Sequence, residues 1–283
     1  MPTLDKRGII AAAQLGGYIP ILVLSLFFTV RYALRRDAGF LFMSIFSAIR
    51  IAGGALIVAG ELTKNPSTSL FTAAYILFHA GLAILMLSTL GFLGLAGQHT
   101  YSEYLHTTRM FVSKLYTFHY DPLTGICRAI AFFVIVAMAL AIAGGILGSP
   151  VAPTQGHIGD ILRKTAAALY GALYLVLVVV HIRCWADRWE MRSYRRRLLG
   201  SVLCALPVLG ARVVYEILAA WSSSDLFGLQ LSSNATLAMF QPVTGKWILF
   251  LALGFVCEYV VAALYMLSST VLASQRRRRH HRH

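Results

Sequence analysis

The sequence is poor in charged residues, and above all in acidic ones. Of its 283 residues, 13% are charged and 58% are hydrophobic, with 11 Asp plus Glu against 25 Lys plus Arg. Soluble domains carry about 25% charged residues, so this balance excludes an ordinary soluble globular protein. A mean hydropathy of +0.70 indicates instead that the surplus apolar surface lies in lipid.

Signatures of common cofactor and nucleophile sites are also missing. The sequence has no Walker or Rossmann glycine motif, no zinc-ligand motif and no Gly-x-Ser-x-Gly. Its four cysteines have neither metal-ligand nor disulfide spacing and are predicted to be small buried hydrophobic residues. We therefore expect neither a metal nor a cofactor. A G-protein-coupled receptor is disfavoured too, because Asp187-Arg188-Trp189 follows the fifth apolar stretch rather than the third.

Seven apolar stretches are long enough to cross a membrane, since a bilayer core about 30 Å thick needs roughly 20 helical residues. They predict an all-α integral membrane protein, a seven-helix bundle over residues 1–269 followed by a basic tail over 270–283. The predicted spans are Gly8–Val30, Gly39–Gly60, Ser69–Gly97, Ile126–Ser149, Thr165–Ala186, Leu198–Trp221 and Lys246–Ser269.

The distribution of basic residues predicts the orientation. Most of the 25 Lys and Arg lie in the first, third and fifth connections and in the tail, which places the N-terminus outside or in the lumen and the C-terminus in the cytoplasm. The sequon Asn234-Ala-Thr236 then falls on the lumenal side, where glycosylation occurs. Because the basic clusters flank the spans, anionic lipids are the expected partners rather than nucleic acid. The endoplasmic reticulum is the expected membrane.

Five ionisable residues lie inside predicted spans, where a charge costs about 2.5–3.5 kcal/mol and usually faces the bundle interior. At ~1.5 Å of rise per residue, all five are predicted to meet between the midplane and the lumenal leaflet. Three aromatic side chains are predicted to lie near them: Tyr215 and Tyr259 adjoin two of the carboxylates, and Trp247 lies in the lumenal half. The five are Arg50, His79, Arg212, Glu216 and Glu258.

Two interpretations of this cluster compete. In the structural one, the two arginines pair with the two glutamates and fasten four helices together. In the functional one, the cluster lines a pocket in which a carboxylic acid holds and delivers a proton. Glu258 is the leading candidate for that acid, because its own helix offers no basic residue within a turn. Glu216 is the second, and Arg212 is one turn from it.

Three short motifs stand out in the predicted spans: Arg50 followed by Gly53-Gly54, Arg212-Val-Val-Tyr215 and Glu258-Tyr259. They resemble those of a family of fungal seven-helix membrane proteins, some of whose members are similar to membrane-embedded terpene cyclases of meroterpenoid pathways. The resemblance implies a lipophilic, prenylated epoxide as substrate, protonated by Glu258 or Glu216 and bound by Arg50, His79, Tyr215, Tyr259 and Trp247.

Two other functions stay open. Lipid-translocating seven-helix exporters of fungi are similar around Arg-x-x-Tyr and the late intramembrane glutamate, which would make the protein a transporter of lipids or toxicants. A membrane sensor or scaffold without catalysis would need only the ion pairs. The sequence predicts no oligomeric state.

Overall fold

The computed structural model describes residues 5–32, 38–63, 68–97, 122–149, 156–189, 193–225, 227–228 and 232–280. Over these ranges the chain is almost wholly helical, and seven helices are long and apolar enough to cross a membrane. The predicted all-α architecture with seven spans is therefore confirmed. The direction in which the helices cross stays a prediction.

The helices follow one another along the chain, joined by connections. The seventh begins as a single turn, Trp247–Leu249, continues as a π-helix, Phe250–Val256, and ends as an α-helix, Cys257–His280; we call the whole of it α7. The other six are α1 (Lys6–Tyr32), α2 (Ala38–Leu62), α3 (Thr68–Gly97), α4 (Pro122–Leu147), α5 (Gly156–Ala186) and α6 (Ser193–Ser222).

The predicted start of the fifth span was wrong. Helix α5 begins at Gly156 rather than at Thr165, although the segment between them carries three charges. Lys164 Nζ lies 2.6 Å from Asp160 Oδ2, one turn earlier on the same helix. Arg163 Nη2 donates to the carbonyl oxygen of Ser223 at 2.8 Å. Because these partners lie within reach, the charged residues extend the helix instead of ending it.

Helix α3 lies at the centre of the bundle. In its most apolar stretch 78% of the residues are buried, against 28–50% in the other six spans. It packs against α2, α4, α5 and α6. Its sequence is apolar around the whole circumference, as expected for a helix surrounded by other helices.

Polar side chains join neighbouring helices at several depths. Gln14 Nε2 on α1 donates to the carbonyl oxygen of Arg50 on α2 at 2.9 Å. The hydroxyls of Thr89 on α3 and Tyr265 on α7 are 2.8 Å apart. Such bonds between membrane helices contribute on average about 0.6 kcal/mol each, so they supplement the packing of the apolar faces.

The first turns of α1, α3, α5 and α7 lie at the same end of the bundle as the last turns of α2, α4 and α6. The backbone N–H of Asp5 donates to Glu61 Oε2 at 3.1 Å, and Arg7 Nη2 donates to the carbonyl oxygen of Gly245 at 3.0 Å. We call this the amino-terminal end of the bundle. It is the end for which the sequence predicts a lumenal location.

The sequon provides a test of that location. Asn234 is exposed in the connection between α6 and α7, at the amino-terminal end. If this end is lumenal, Asn234→Gln increases the gel mobility of the chain expressed in a eukaryotic host, and Thr236→Ala has the same effect. Ser233→Ala, which keeps the sequon, leaves the mobility unchanged. A wild-type chain whose mobility is insensitive to a glycosidase would contradict the predicted glycosylation.

Candidate functional site

Four helices bring the five intramembrane ionisable residues into one continuous chain of contacts. Glu258 Oε1 on α7 accepts hydrogen bonds from Arg50 Nη2 on α2 and from Arg212 Nε on α6, the latter at 2.6 Å. Arg212 Nη1 donates to Glu216 Oε2 at 2.7 Å. The other oxygen of Glu216 contacts His79 Nδ1 on α3. We call Arg50, Glu258, Arg212, Glu216 and His79 the ion network.

The members of the ion network differ in their exposure. Arg212 is 0% exposed, Glu258 1%, Arg50 2% and Glu216 4%. The side chain of His79 is 17% exposed. His79 is therefore the member that a ligand or a proton from outside can reach most easily.

The ion network balances its own charge. Two guanidinium groups face two carboxylates, so the sum is zero when the imidazole of His79 is neutral. Removing one partner from a buried pair costs about 3–5 kcal/mol, because the other charge stays uncompensated in a medium of low dielectric constant. The ion pairs that the structural interpretation expects are therefore formed. Glu258 is shared between both arginines rather than paired with one.

The ring of Phe78 lies against both arginines, and no sequence motif indicates this role. The Cζ atoms of Arg50 and Arg212 lie 4.7 and 4.8 Å from the centre of its ring, within the distance at which cations are attracted to an aromatic face. Phe78 also packs on Phe250, with 5.1 Å between ring centres. A single phenylalanine among the many in these spans has no pattern that distinguishes it.

A glycine of α3 makes room for Arg50. A Cβ atom at Gly81 would lie 2.7 Å from Arg50 Cζ and Nη2, closer than real Cβ contacts allow. The guanidinium group cannot simply move aside, since Glu258 binds it and the rings of Phe46 and Phe78 lie 5.4 and 4.7 Å from it. Gly81 is therefore part of the geometry of the ion network.

The contact between His79 and Glu216 gives the imidazole a defined role. The carboxylate of Glu216 also accepts from Arg212, which stabilises its ionised form, and an ionised carboxylate can only accept hydrogen bonds. His79 Nδ1 must therefore carry the hydrogen of this bond. The remaining ring nitrogen, Nε2, makes no hydrogen bond among those observed in the described residues.

A small cavity adjoins this pair. His79 and Glu216 lie in its wall, and Glu258 does not belong to the lining that the described residues form. Its free space is about 20 Å³, enough for roughly one atom of the size of a water oxygen. The remaining lining comes from α4, α5, α6 and the connection before α7: Ala141, Arg163, Ala166, Ala167, Tyr170, Ala219, Ala220, Ser223, Gln241 and Pro242.

None of the three predicted aromatic residues is in the lining of this cavity. Tyr215 is fully buried, and Arg212 Cζ lies 5.5 Å from its ring. Tyr259 packs edge-on against Tyr18, with ring centres 5.8 Å apart. Trp247 is 37% exposed at the amino-terminal end, where the ammonium group of Lys6 lies over it. Their predicted role in substrate binding stays a prediction.

Metal ligands do not cluster in the part of the chain that the structure describes. No group of three or more His, Cys, Asp or Glu side chains is arranged there to hold a metal ion. The four cysteines are free, and only Cys184 is fully buried; Cys204 is exposed. The prediction of four buried cysteines is thus confirmed for Cys184 only; Cys127 and Cys257 are half-buried, and for Cys204 the prediction is wrong.

A family described as a domain of unknown function, DUF7702, matches residues 4–275. That range includes α1 to α6, α7 as far as residue 275, and every member of the ion network. The chain belongs to the DUF7702 family. No curated protein and no solved structure matches it.

The lack of space for a side chain at Gly81, next to Arg50, gives a test of the ion network. Gly81→Ala places a methyl group against a guanidinium that cannot move, so we expect a loss of about 1–3 kcal/mol of stability by overpacking. Thermal unfolding of the purified protein in detergent measures it. Gly16→Ala on α1 is the control, because a Cβ there meets nothing within 4 Å and the change gains helix propensity. Equal melting temperatures for the two variants would contradict the close contact between Gly81 and the guanidinium group of Arg50.

Proposed function

We propose that this DUF7702 protein is a membrane-embedded acid–base enzyme that transfers a proton to a lipophilic substrate through His79. The observation that carries the proposal is the position of the His79–Glu216 pair in the wall of a cavity at the amino-terminal half of the bundle. An imidazole oriented by a carboxylate is the arrangement by which enzymes move protons near neutral pH.

The proposed roles differ from those expected from the sequence. Glu258 binds two guanidinium groups through one oxygen and lies outside the cavity lining, so it suits the fastening of helices better than proton delivery. Glu216 is bound by Arg212 on one oxygen and by His79 on the other. In the proposal Glu216 orients His79 and stabilises its charged form, while Arg212 fixes the position of Glu216.

The resemblance described above gives the proposal its specific form, an acid-initiated terpene cyclase of fungal meroterpenoid metabolism. The imidazolium of His79 donates its Nε2 proton to the epoxide oxygen of a prenylated substrate, and a C–O bond breaks to leave a carbocation. The π electrons of an alkene in the same substrate close a ring on that cation. Loss of a proton from the cyclised cation to His79 restores the enzyme, so the overall change is an isomerisation.

The bilayer would supply such a substrate directly. A lipophilic molecule partitions into the hydrocarbon region, and the cavity lies between helices that cross it. The free space of about 20 Å³ holds one oxygen atom rather than a whole prenyl chain, so the proposal needs α4, α5 and α6 to separate locally when the chain of the substrate enters. Movements of packed helices on this scale occur in microseconds to milliseconds.

Replacing His79 tests the function. In a strain that lacks the gene, we expect wild-type protein to restore the cyclised product and His79→Gln to restore at least about 100-fold less, since general acid–base catalysis contributes 10²–10⁴-fold. Mass spectrometry of the acyclic and cyclised metabolites measures this, at equal amounts of protein in the membrane.

A second histidine provides the control. His181 on α5 is also buried, and its Nδ1 bonds the carbonyl oxygen of Leu177, but it lies outside the cavity lining. His181→Gln should restore the product as wild type does. An unchanged metabolite profile in the deletion strain, together with altered sensitivity to lipophilic compounds, would contradict the enzyme and favour the exporter.

A further inference from the structure

We propose that Tyr170 and Arg163 form a binding site for a neutral oxygen atom, the alcohol, ether or carbonyl oxygen of a lipophilic ligand, in the cavity beside His79. The site would hold the polar end of the ligand, and its apolar part would lie between the helices. The proposal rests on the proposed function to the extent that this ligand is the substrate.

Tyr170 provides the first donor. Its side chain is 0% exposed, it lines the cavity, and its hydroxyl has no hydrogen-bond partner among the described residues. Tyr174, one turn further along α5, shows the usual arrangement, because its hydroxyl donates to the carbonyl oxygen of Leu206 at 2.9 Å. Tyr18 and Tyr215 also have unpartnered hydroxyls in the described part of the chain, but neither lines the cavity.

Arg163 provides the second donor. Its side chain is nine-tenths buried and lines the same cavity. Nη2 donates to the carbonyl oxygen of Ser223, and it lies 3.9 Å from Asp160 Oδ1. Nε has no partner among the described residues. Leaving a buried donor unpaired is unfavourable, and one oxygen with two lone pairs can accept hydrogen bonds from two donors.

The charges around the cavity favour a neutral oxygen over an anion. The carboxylate of Glu216 lies in the same wall, and Asp160 lies beside Arg163. A negatively charged ligand would meet the carboxylate of Glu216 in the wall and lie near that of Asp160, whereas an alcohol, ether or carbonyl oxygen would not be repelled. His79 lines the same cavity as Tyr170 and Arg163, as the proposed function requires.

Small side chains keep the cavity open. Five alanines form much of its lining, and all five are buried. A larger aliphatic side chain at one of them would fill a space of about 20 Å³ without removing any polar group. The alanines are Ala141, Ala166, Ala167, Ala219 and Ala220.

Binding of a simple alcohol tests the site without requiring the substrate or turnover. The full chain is purified in detergent, and its melting temperature is measured with increasing 1-dodecanol or with dodecane. We expect dodecanol to raise the melting temperature more than dodecane does. Tyr170→Phe should weaken the apparent affinity for dodecanol roughly threefold to tenfold, the effect of one lost hydrogen bond. Ala167→Val, which fills the space, should abolish the difference between the two probes.

Tyr174→Phe is the matched control. It removes a hydroxyl one turn away that is bonded to the protein, so it should lower the melting temperature without ligand and keep the response to dodecanol. Tyr170→Phe removes an unpartnered hydroxyl and should not lower the melting temperature without ligand. Equal responses of wild type to dodecanol and dodecane, as expected if the cavity holds water only, would overturn the proposal. An undiminished dodecanol response in Tyr170→Phe would overturn it as well.

The binding assay and the metabolite assay test the oxygen site and the proposed function separately, so that either proposal can fail while the other stands. If dodecanol binding depends on Tyr170 while His79→Gln restores the product, the oxygen site stands and the acid–base role of His79 fails. If His79→Gln abolishes the product while Tyr170→Phe leaves the response to dodecanol unchanged, the function stands and the oxygen site fails.

Discussion

The neutralisation of buried charge in a lipid environment constrains this structure more than any other interaction. Two arginines and two glutamates lie at 0–4% exposure, where none of them can be solvated by water. Each must therefore meet its partners in a fixed geometry, and the partners come from α2, α6 and α7. The relative positions of these helices, and of α3 through His79, follow from that requirement. Packing of apolar faces alone would allow the helices to slide or rotate against one another more freely.

The same constraint connects the scaffold to the candidate site. Arg212 binds Glu258 with one nitrogen and Glu216 with another. It therefore connects the buried Arg50–Glu258 pair to the His79–Glu216 pair in the cavity wall. Its Cζ atom lies 4.8 Å from the ring of Phe78, the residue before His79 on α3. The structural and functional interpretations of the cluster are therefore compatible: Glu258 and Arg50 fasten helices, and Glu216 and His79 face the cavity.

The energetic cost of charge in lipid made the main features predictable. Arg50, Arg212, Glu216 and Glu258 stand out in their spans, and the rise per residue was enough to expect that they meet. The pairing of Glu258 with both arginines was not predictable, because it depends on helix rotation, which hydropathy does not determine. The predicted fifth span leaves Arg163 in the preceding connection, whereas this residue lies in α5. Gly81 and Phe78 are ordinary residues of apolar helices, and only their contacts give them a role.

A double-mutant cycle between Arg50 and Glu258 tests the central claim most directly, since these residues are 208 positions apart in sequence. Unfolding free energies of the wild type, Arg50→Gln, Glu258→Gln and the double variant would be measured in the same lipid or detergent. The ion network predicts that the double variant is more stable than the sum of the single effects implies, by about 1–3 kcal/mol. Additivity to within about 0.5 kcal/mol would contradict a structure organised around these paired charges.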